Sequence, residues 1–180
     1  MYINGFETNN SFEYENGFYL CADDRRFGKL FAHYELYKKI THLPGAIVEC
    51  GVFKGNSLFR FAHFRNILET QDSRKIIGFD MFGKFPETNF ADDKDKRQAF
   101  INEAGDGISI DDMHRAMRYK QMRNYELIEG DINETLPKYC RVNPALKIAL
   151  LHIDTDIYEP AVTILENMYD KVVGGGVYSV

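Results

Sequence analysis

The sequence has no C-x-x-C pair, no apolar run approaching the roughly 18 residues of a bilayer-spanning helix, and no surplus of basic charge. Its three cysteines, Cys21, Cys50 and Cys140, are widely spaced, so neither a disulfide framework nor a zinc site is expected and a reducing cytoplasm is the natural setting. Met1 is followed by Asn, Glu and Asp rather than by a basic and then an apolar run, so no signal peptide is expected. The protein is therefore expected to be neither secreted nor membrane-spanning. With 22 Lys and Arg against 27 Asp and Glu, nucleic acid is excluded as a natural partner, because phosphate backbones call for clustered cations. What remains is a soluble globular composition, 44% hydrophobic and 27% charged, over 180 residues, enough for one domain with a real core.

Residues 1–28 are rich in Asn, Glu, Gly and aromatics without steady periodicity, which predicts an arm packed on a main domain over 29–180. Leu30, Phe31, Tyr34, Tyr37 and Ile40 recur at helical spacing until Pro44 and Gly45 stop the helix. Strands and helices then alternate. Strands are expected at 46–51, 75–80, 125–130, 147–154 and, after a Gly-Gly-Gly turn at 174–176, at 177–180; helices are expected at 57–69, 111–123, 133–139 and from Pro160 to about 171. Residues 81–112 interrupt the pattern with an insertion too long for an ordinary loop, with a helix expected over 93–104 that opens on the solvated D-D-K-D-K-R run at 92–97. The alternation predicts an α/β fold: a Rossmann-like, doubly wound, mostly parallel sheet with helices on both faces. Its last strand, at an edge, would offer unpaired backbone groups to another chain, so a homo-oligomer is an expectation.

The stretch 47–57, I-V-E-C-G-V-F-K-G-N-S, carries the most chemical information. A buried strand ends in a carboxylate, two glycines allow a sharp turn and close approach of a ligand, and Ser57 suits the N-cap of the next helix. A phosphate loop gains nothing from Glu49, since a helix N-terminus already attracts anions and an acid would repel them. The expected ligand therefore carries positive charge near the turn, and S-adenosylmethionine, with its ammonium and sulfonium, fits better than NAD or ATP. In such sheets ligands sit beyond the carboxyl ends of the strands. Those ends carry Glu49, Asp80, Asp131 and Asp154, read either as a ligand-binding rim or as four helix caps. Asp80 lies 29 residues beyond Gly51, farther than the roughly 20 of a dinucleotide fold, and G-x-G-x-x-G is absent, which weakens an NAD-dependent sugar oxidoreductase.

Together, E-C-G-V-F-K-G-N-S, the F-G-K-F-P that follows Asp80, E-G-D-I-N-E-T-L-P and H-I-D-T-D-I-Y-E-P resemble the class I S-adenosylmethionine-dependent methyltransferases, above all the macrocin O-methyltransferase family. The resemblance runs from about Arg25 to Val180 and implies O-methylation of a small-molecule hydroxyl, most plausibly of a sugar. It implies that Glu49, Gly51, Val52, Phe53, Gly55, Asn56 and Ser57 surround the methionine end of the cofactor. Asp80 would bind the ribose hydroxyls, Gly130, Asp131 and Ile132 the adenine, and Asp154 would lie beside the methyl group as proton acceptor. It also implies Mg2+ at Asp154; magnesium needs few carboxylates and keeps several waters, so Asp156 reads as a second ligand or, instead, as a partner of an Arg or a cap of the helix opening at Pro160. Related catechol-type enzymes place a lysine three positions after the metal aspartate, where this chain has Ile157. Family members also follow the Gly-Gly-Gly strand with an acidic pair that completes the metal site, and the chain stops at Val180 before one. The rival expectation is a non-catalytic module that binds S-adenosylmethionine or a nucleotide. His152 reads as a core histidine, His114 as a surface or substrate-facing one, and 82–86 as a wall of the acceptor site, with Arg25 and Arg26 on an arm that closes over it.

Overall fold

The computed structural model describes residues 1–84, 99, 101–102 and 104–180; the charged run at 92–97, residues 85–86 of the expected acceptor wall and most of the helix expected over 93–104 fall outside them. The chain opens with a short antiparallel hairpin, β1 (Tyr2–Ile3) and β2 (Phe6–Glu7), followed by α1 (Ser11–Cys21) and α2 (Asp24–Ile40). Then come β3 (Ala46–Cys50), α3 (Asn56–Leu68), β4 (Ile76–Asp80), α4 (Ile110–Tyr119), β5 (Tyr125–Glu129), α5 (Ile132–Val142), β6 (Ile148–Ile153), α6 (Tyr158–Met168) and β7 (Val172–Ser179). The main sheet has the order β5-β4-β3-β6-β7, and every neighbouring pair is parallel. The order reverses between β3 and β6, so a ligand crevice belongs above those two strand ends.

Strand β3 is buried at all five positions. Alternate residues of the strands feed two cores: Ile47 packs with Tyr37, Phe61 and Met113 on the side of α2, α3 and α4, whereas Val48 and Cys50 pack with Leu136 and Ile164 on the side of α5 and α6. The same period of two sends Glu49 under α3, together with His152, its partner across the β3–β6 ladder. Each fully buried aliphatic or aromatic side chain stabilises the fold by roughly 1.5–3 kcal/mol. Helix α1 buries none of its residues, so it gains none of this.

Two elements begin earlier than the sequence periodicity predicts. Helix α2 starts at Asp24, ahead of Leu30, because the Asp23 side chain accepts a hydrogen bond from the Arg25 N–H at 2.9 Å and caps it. Strand β7 starts at Val172 instead of 177: Ile148 pairs with Val172 but Leu150 with Val177, so the three glycines form a bulge inside the strand rather than a turn before it.

The amino edge of the sheet is tied by two buried arginines. Arg65, at the end of α3, donates to the carbonyls of Arg74, Asn124 and Arg123 at 2.7–2.9 Å, just ahead of β4 and β5. Arg74 forms a bidentate pair with Glu69 at 2.8 and 2.9 Å and reaches the Ile40 and Leu43 carbonyls, while the Tyr37 hydroxyl donates to Glu69. No helix among the described residues is long and apolar enough to cross a membrane.

Candidate functional site at the carboxyl edge

Strand β3 ends at Cys50, and the chain turns at Gly51 with φ +91°. A Cβ at Gly51 would lie 2.1 Å from the Asp154 carbonyl oxygen, so only glycine lets the two strand ends meet. Helix α3 is capped by Gly55 at φ +82°, not by Ser57. Ser57 lies within the helix, buried, and its hydroxyl donates to Glu49 Oε1. The expected serine cap is thus replaced by a serine that holds the glutamate. Glu49 is fully buried beneath the turn, and its Oε2 has no partner among the described residues. Burial, opposed by the Ser57 hydrogen bond and reinforced by Asp154 and Asp80, pushes its carboxyl up to about 8.

The turn is fastened to the next strand by Asp80, whose Oδ2 accepts from the Phe53 N–H at 2.9 Å and whose Oδ1 accepts from the Phe82 N–H at 2.7 Å. Each oxygen keeps a lone pair for a further donor, such as a hydroxyl. Asp131 accepts from the Asn133 N–H at 2.8 Å and caps α5, so for this one rim acid the capping reading is the observed one. Gly130 donates to the Asp80 carbonyl at 3.0 Å and brings that corner against the β4 end. Gly51, Phe53, Asp80, Asp131, Ile132 and Asp154 line one cleft along the carboxyl edge. Val52, Asn56 and Ser57 border an adjoining cavity that shares Phe53, Asp154 and Asp156 with it. Most residues expected around a cofactor are therefore brought together; Glu49 lies under the floor instead of on the rim, and Gly55 and Gly130 shape the turns without lining either cavity.

Asp154 sits in a mixed environment. Its Oδ2 pairs with Lys29 of α2 at 3.1 Å, and His152 Nε2 lies 3.7 Å away. The His152 ring and then the Lys29 ammonium, against the opposing effect of burial, hold its carboxyl down at about 2. Desolvation and the Asp154 charge raise Asp156, which has φ +56°. Behind Asp154 the ring of His33 stacks on Phe61 with centroids 5.0 Å apart and meets His152 edge-on at 5.0 Å. Burial and then the neighbouring His152 push His33 down to about 4, so it is neutral near pH 7.

A magnesium site needs oxygen ligands around an octahedron. Among the described residues no group of three or more His, Cys, Asp or Glu is placed to hold a metal ion, and Asp154 already faces a lysine. The described residues thus lend the expected Mg2+ no support beyond the Asp154 and Asp156 carboxylates, the first of which is paired with Lys29.

Several of these groups escaped the sequence reading. Lys29 and His33 belong to α2 and reach a strand end more than a hundred residues away along the chain. Their signal is the spacing Lys29, His33, Tyr37, four apart on one helix face; Lys29 falls ahead of the apolar stripe that begins at Leu30, and His33 lies between its members. His114 pairs with the Tyr125 hydroxyl at 3.1 Å and does not border the cleft. His152 is buried, as expected. Arg25 turns to Asp23, whereas Arg26 borders the adjoining cavity.

Comparison with known proteins gives three consistent findings. The family described as Macrocin-O-methyltransferase (TylF) matches residues 24–180. A demethyldecarbamoylnovobiocin O-methyltransferase of Streptomyces niveus is 29% identical over 148 residues, covering 76% of this chain and 52% of that protein. The chain thus spans about half the length of the curated relative it matches. Among solved structures, the calicheamicin methyltransferase CalS11 superposes with a TM-score of 0.68 at 28% identity, covering 96% of this chain and 70% of that one. Its apo form, described as a TDP-rhamnose 3'-O-methyltransferase, gives 0.64 at 28% identity, with coverage of 96% and 69%. The O-methyltransferase NovP, at 24% identity, a TM-score of 0.71 and coverage of 83% and 62%, shares the fold.

Proposed function

The chain belongs to the macrocin-O-methyltransferase family, and from that premise we propose that it binds S-adenosylmethionine along the carboxyl edge of its sheet and serves methyl transfer to a hydroxyl of a sugar or glycoside. The observation that carries this reading is Glu49: a fully buried carboxyl with an unfilled oxygen, beneath a glycine turn that opens on a cleft reaching Asp154. A buried carboxyl pushed up to about 8 is poised for a cationic partner, whose arrival would restore its ionised form. Asp80 offers its remaining lone pairs to adjacent hydroxyls, and Gly130, Asp131 and Ile132 provide the far corner for a flat base. The related proteins are named for O-methylation of demethyldecarbamoylnovobiocin and, for CalS11, of TDP-rhamnose, and the latter supports a sugar hydroxyl as acceptor.

S-Adenosylmethionine, when bound, supplies the methyl group and an excellent sulfonium leaving group. The protein then needs mainly to align the acceptor. Asp154 accepts the hydrogen bond of the acceptor hydroxyl and fixes where its oxygen lies. A carboxyl held at about 2 is a weak base towards an alcohol. As the new O–C bond forms, however, the hydroxyl proton becomes strongly acidic, and Asp154 can take it late in the step. Lys29 and His152 hold Asp154 in the ionised state that this requires. The family match displaces the NAD-dependent reading, and a non-catalytic binding module is an outcome of the test.

Calorimetry with S-adenosylmethionine, followed by a screen of sugar nucleotides and glycosides for S-adenosylhomocysteine release, tests the proposal. Micromolar binding that weakens at least about tenfold in Glu49→Gln is expected, as for loss of a charge-assisted contact. Loss of about a hundredfold in turnover is expected for Asp154→Asn, within the usual range for a positioned acid–base group. No binding to the wild type would sink the reading; binding without turnover of any acceptor would favour the module.

A further inference from the structure

The acidic edge is bordered by a cationic cavity to which none of the roles above gives a purpose. It lies between α1, the start of α2 and the start of α3, and it is continuous with the cleft through Phe53. Arg26, Lys54 and Arg60 all border it, with Asn56 of the first turn of α3 beside them. Among the described residues neither Arg26 nor Arg60 makes an ion pair or a side-chain hydrogen bond. The one acid on the α1–α2 side, Asp23, is taken by Arg25 at 2.9 Å and by the α2 cap. Lys54 donates only to the Ala104 carbonyl at 2.6 Å and lies 5.1 Å over the Phe53 ring. The exposed Arg26 and the half-buried Arg60 border the same space and repel, so Arg60 is lowered, first by desolvation and then by Arg26, while Glu49 acts on it in the opposite sense; Asp154 and Asp156 border the adjoining cavity as well.

We propose that Arg26, Lys54 and Arg60 form an anion-binding subsite that takes the phosphate or diphosphate of the acceptor, so that the acceptor is a phosphorylated or nucleotide-linked sugar rather than a neutral glycoside. This rests on the methyl-transfer reading above, because it places the acceptor's charged end beside the cavity and its hydroxyl at Asp154. A methionine carboxylate is the other anion that could reach the cavity, but its one negative charge would leave two of the three cations unmatched, whereas the two charges of a diphosphate linkage leave one. Arginine and lysine meet phosphate oxygens through short charge-assisted hydrogen bonds, and the α3 N-terminus adds its unpaired N–H groups. The exposed ring of Phe18 and the half-exposed ring of Phe53 supply an apolar wall on either side for the group attached to the phosphate.

The test is equilibrium binding of inorganic pyrophosphate and of uridine diphosphate to the full chain saturated with S-adenosylhomocysteine, which fills the methionine position. Wild type is compared with Arg26→Gln, Lys54→Gln and the double variant, all at exposed positions, and with Arg60→Gln. Both probes should bind the wild type, weaken about tenfold for each arginine removed, and lose affinity steeply with salt, while S-adenosylhomocysteine affinity changes less than about threefold. Should Arg60→Gln fail to fold, the exposed pair carries the test alone. The inference is overturned if neither probe binds the wild type, if the variants bind them unchanged, or if the variants lose S-adenosylhomocysteine in parallel, which would assign the cations to the methionine carboxylate. Absence of S-adenosylhomocysteine binding in the wild type would instead count against the methyl-transfer reading, and the same titration without it still decides the anion subsite.

Discussion

The two edges of the sheet treat buried charge in opposite ways. At the amino edge, Arg74, with a side chain only 3% exposed, is matched by Glu69 and by backbone carbonyls, and Arg65 is spread over three more. At the carboxyl edge, Glu49, His33 and His152 are as deeply buried yet leave Glu49 Oε2, His33 Nδ1 and both His152 nitrogens without a hydrogen-bond partner among the described residues, His152 Nε2 lying 3.7 Å from Asp154. An unsatisfied buried polar group costs about 1–3 kcal/mol. The first edge spends its charged groups on holding strands together and leaves Arg65 Nε and Asn66 Oδ1 without a hydrogen-bond partner among the described residues, while the second leaves a carboxyl oxygen and three imidazole nitrogens so where a ligand would dock. Within the carboxyl edge the contrast repeats: Glu49 is driven up to about 8 by burial, and Asp154 down to about 2 by His152 and Lys29. Two acids with opposite pKa displacements are suited to different tasks, one receiving a cation and the other a proton.

The contrast can be broken most severely at the amino edge. Arg74→Ala leaves the partly buried Glu69 without its cation and with the Tyr37 hydroxyl alone as donor, and denaturant unfolding should show a loss of about 3 kcal/mol. A loss below 1 kcal/mol would mean that the edge is not held as described. The next effect is a pH dependence. Glu49 has a raised pKa in the folded state, so the stability it contributes is present at low pH and is lost as pH rises towards about 8. His33 is lowered to about 4, so its contribution is lost on the acid side, as pH falls below about 6.5. Between pH 6.5 and 8 Glu49 therefore acts without His33. Ligand-free protein should lose on the order of 1–2 kcal/mol across that window, and Glu49→Gln should flatten the curve. If both proteins show the same slope, the buried acid is not titrating there. S-Adenosylmethionine binding near pH 7 should release a proton, read as a dependence of calorimetric heat on buffer ionisation enthalpy. The smallest change is expected for Lys29→Met. This half-exposed pair should contribute less than about 1 kcal/mol to stability, yet methyl transfer should lose its activity at a higher pH on the acid limb as the Asp154 carboxyl rises. An unchanged pH profile would remove Lys29 from the site.

The succession of parallel strands and the acids at their ends were legible in the sequence, though not the strand order, because apolar runs and strand-end carboxylates are local signals. K-I-I-G-F-D and K-I-A-L-L-H-I-D declare both the strand and the residue at its end. What was not legible depends on depth and on distance along the chain. Nothing local to Glu49 says that Ser57 will turn inward to meet it, since a serine two residues after a glycine reads equally well as a cap. Lys29, His33, Arg26 and Arg60 reach the site only through the packing of α2 on α3, which helical periodicity suggests but does not aim. The glycines of β7 read as a turn because a bulge leaves the same composition as a loop.

The contact between Gly51 and the Asp154 carbonyl, completed by the 2.9 Å hydrogen bond from the Asp154 N–H to the Cys50 carbonyl, has a mechanical consequence. The turn proposed as the seat for the methyl donor and the residue proposed to steer its target are thereby joined through main chain, with no side chain between them to flex. Any breathing of the surrounding helices carries both jaws in the same direction, so the gap that the methyl group must cross keeps its length.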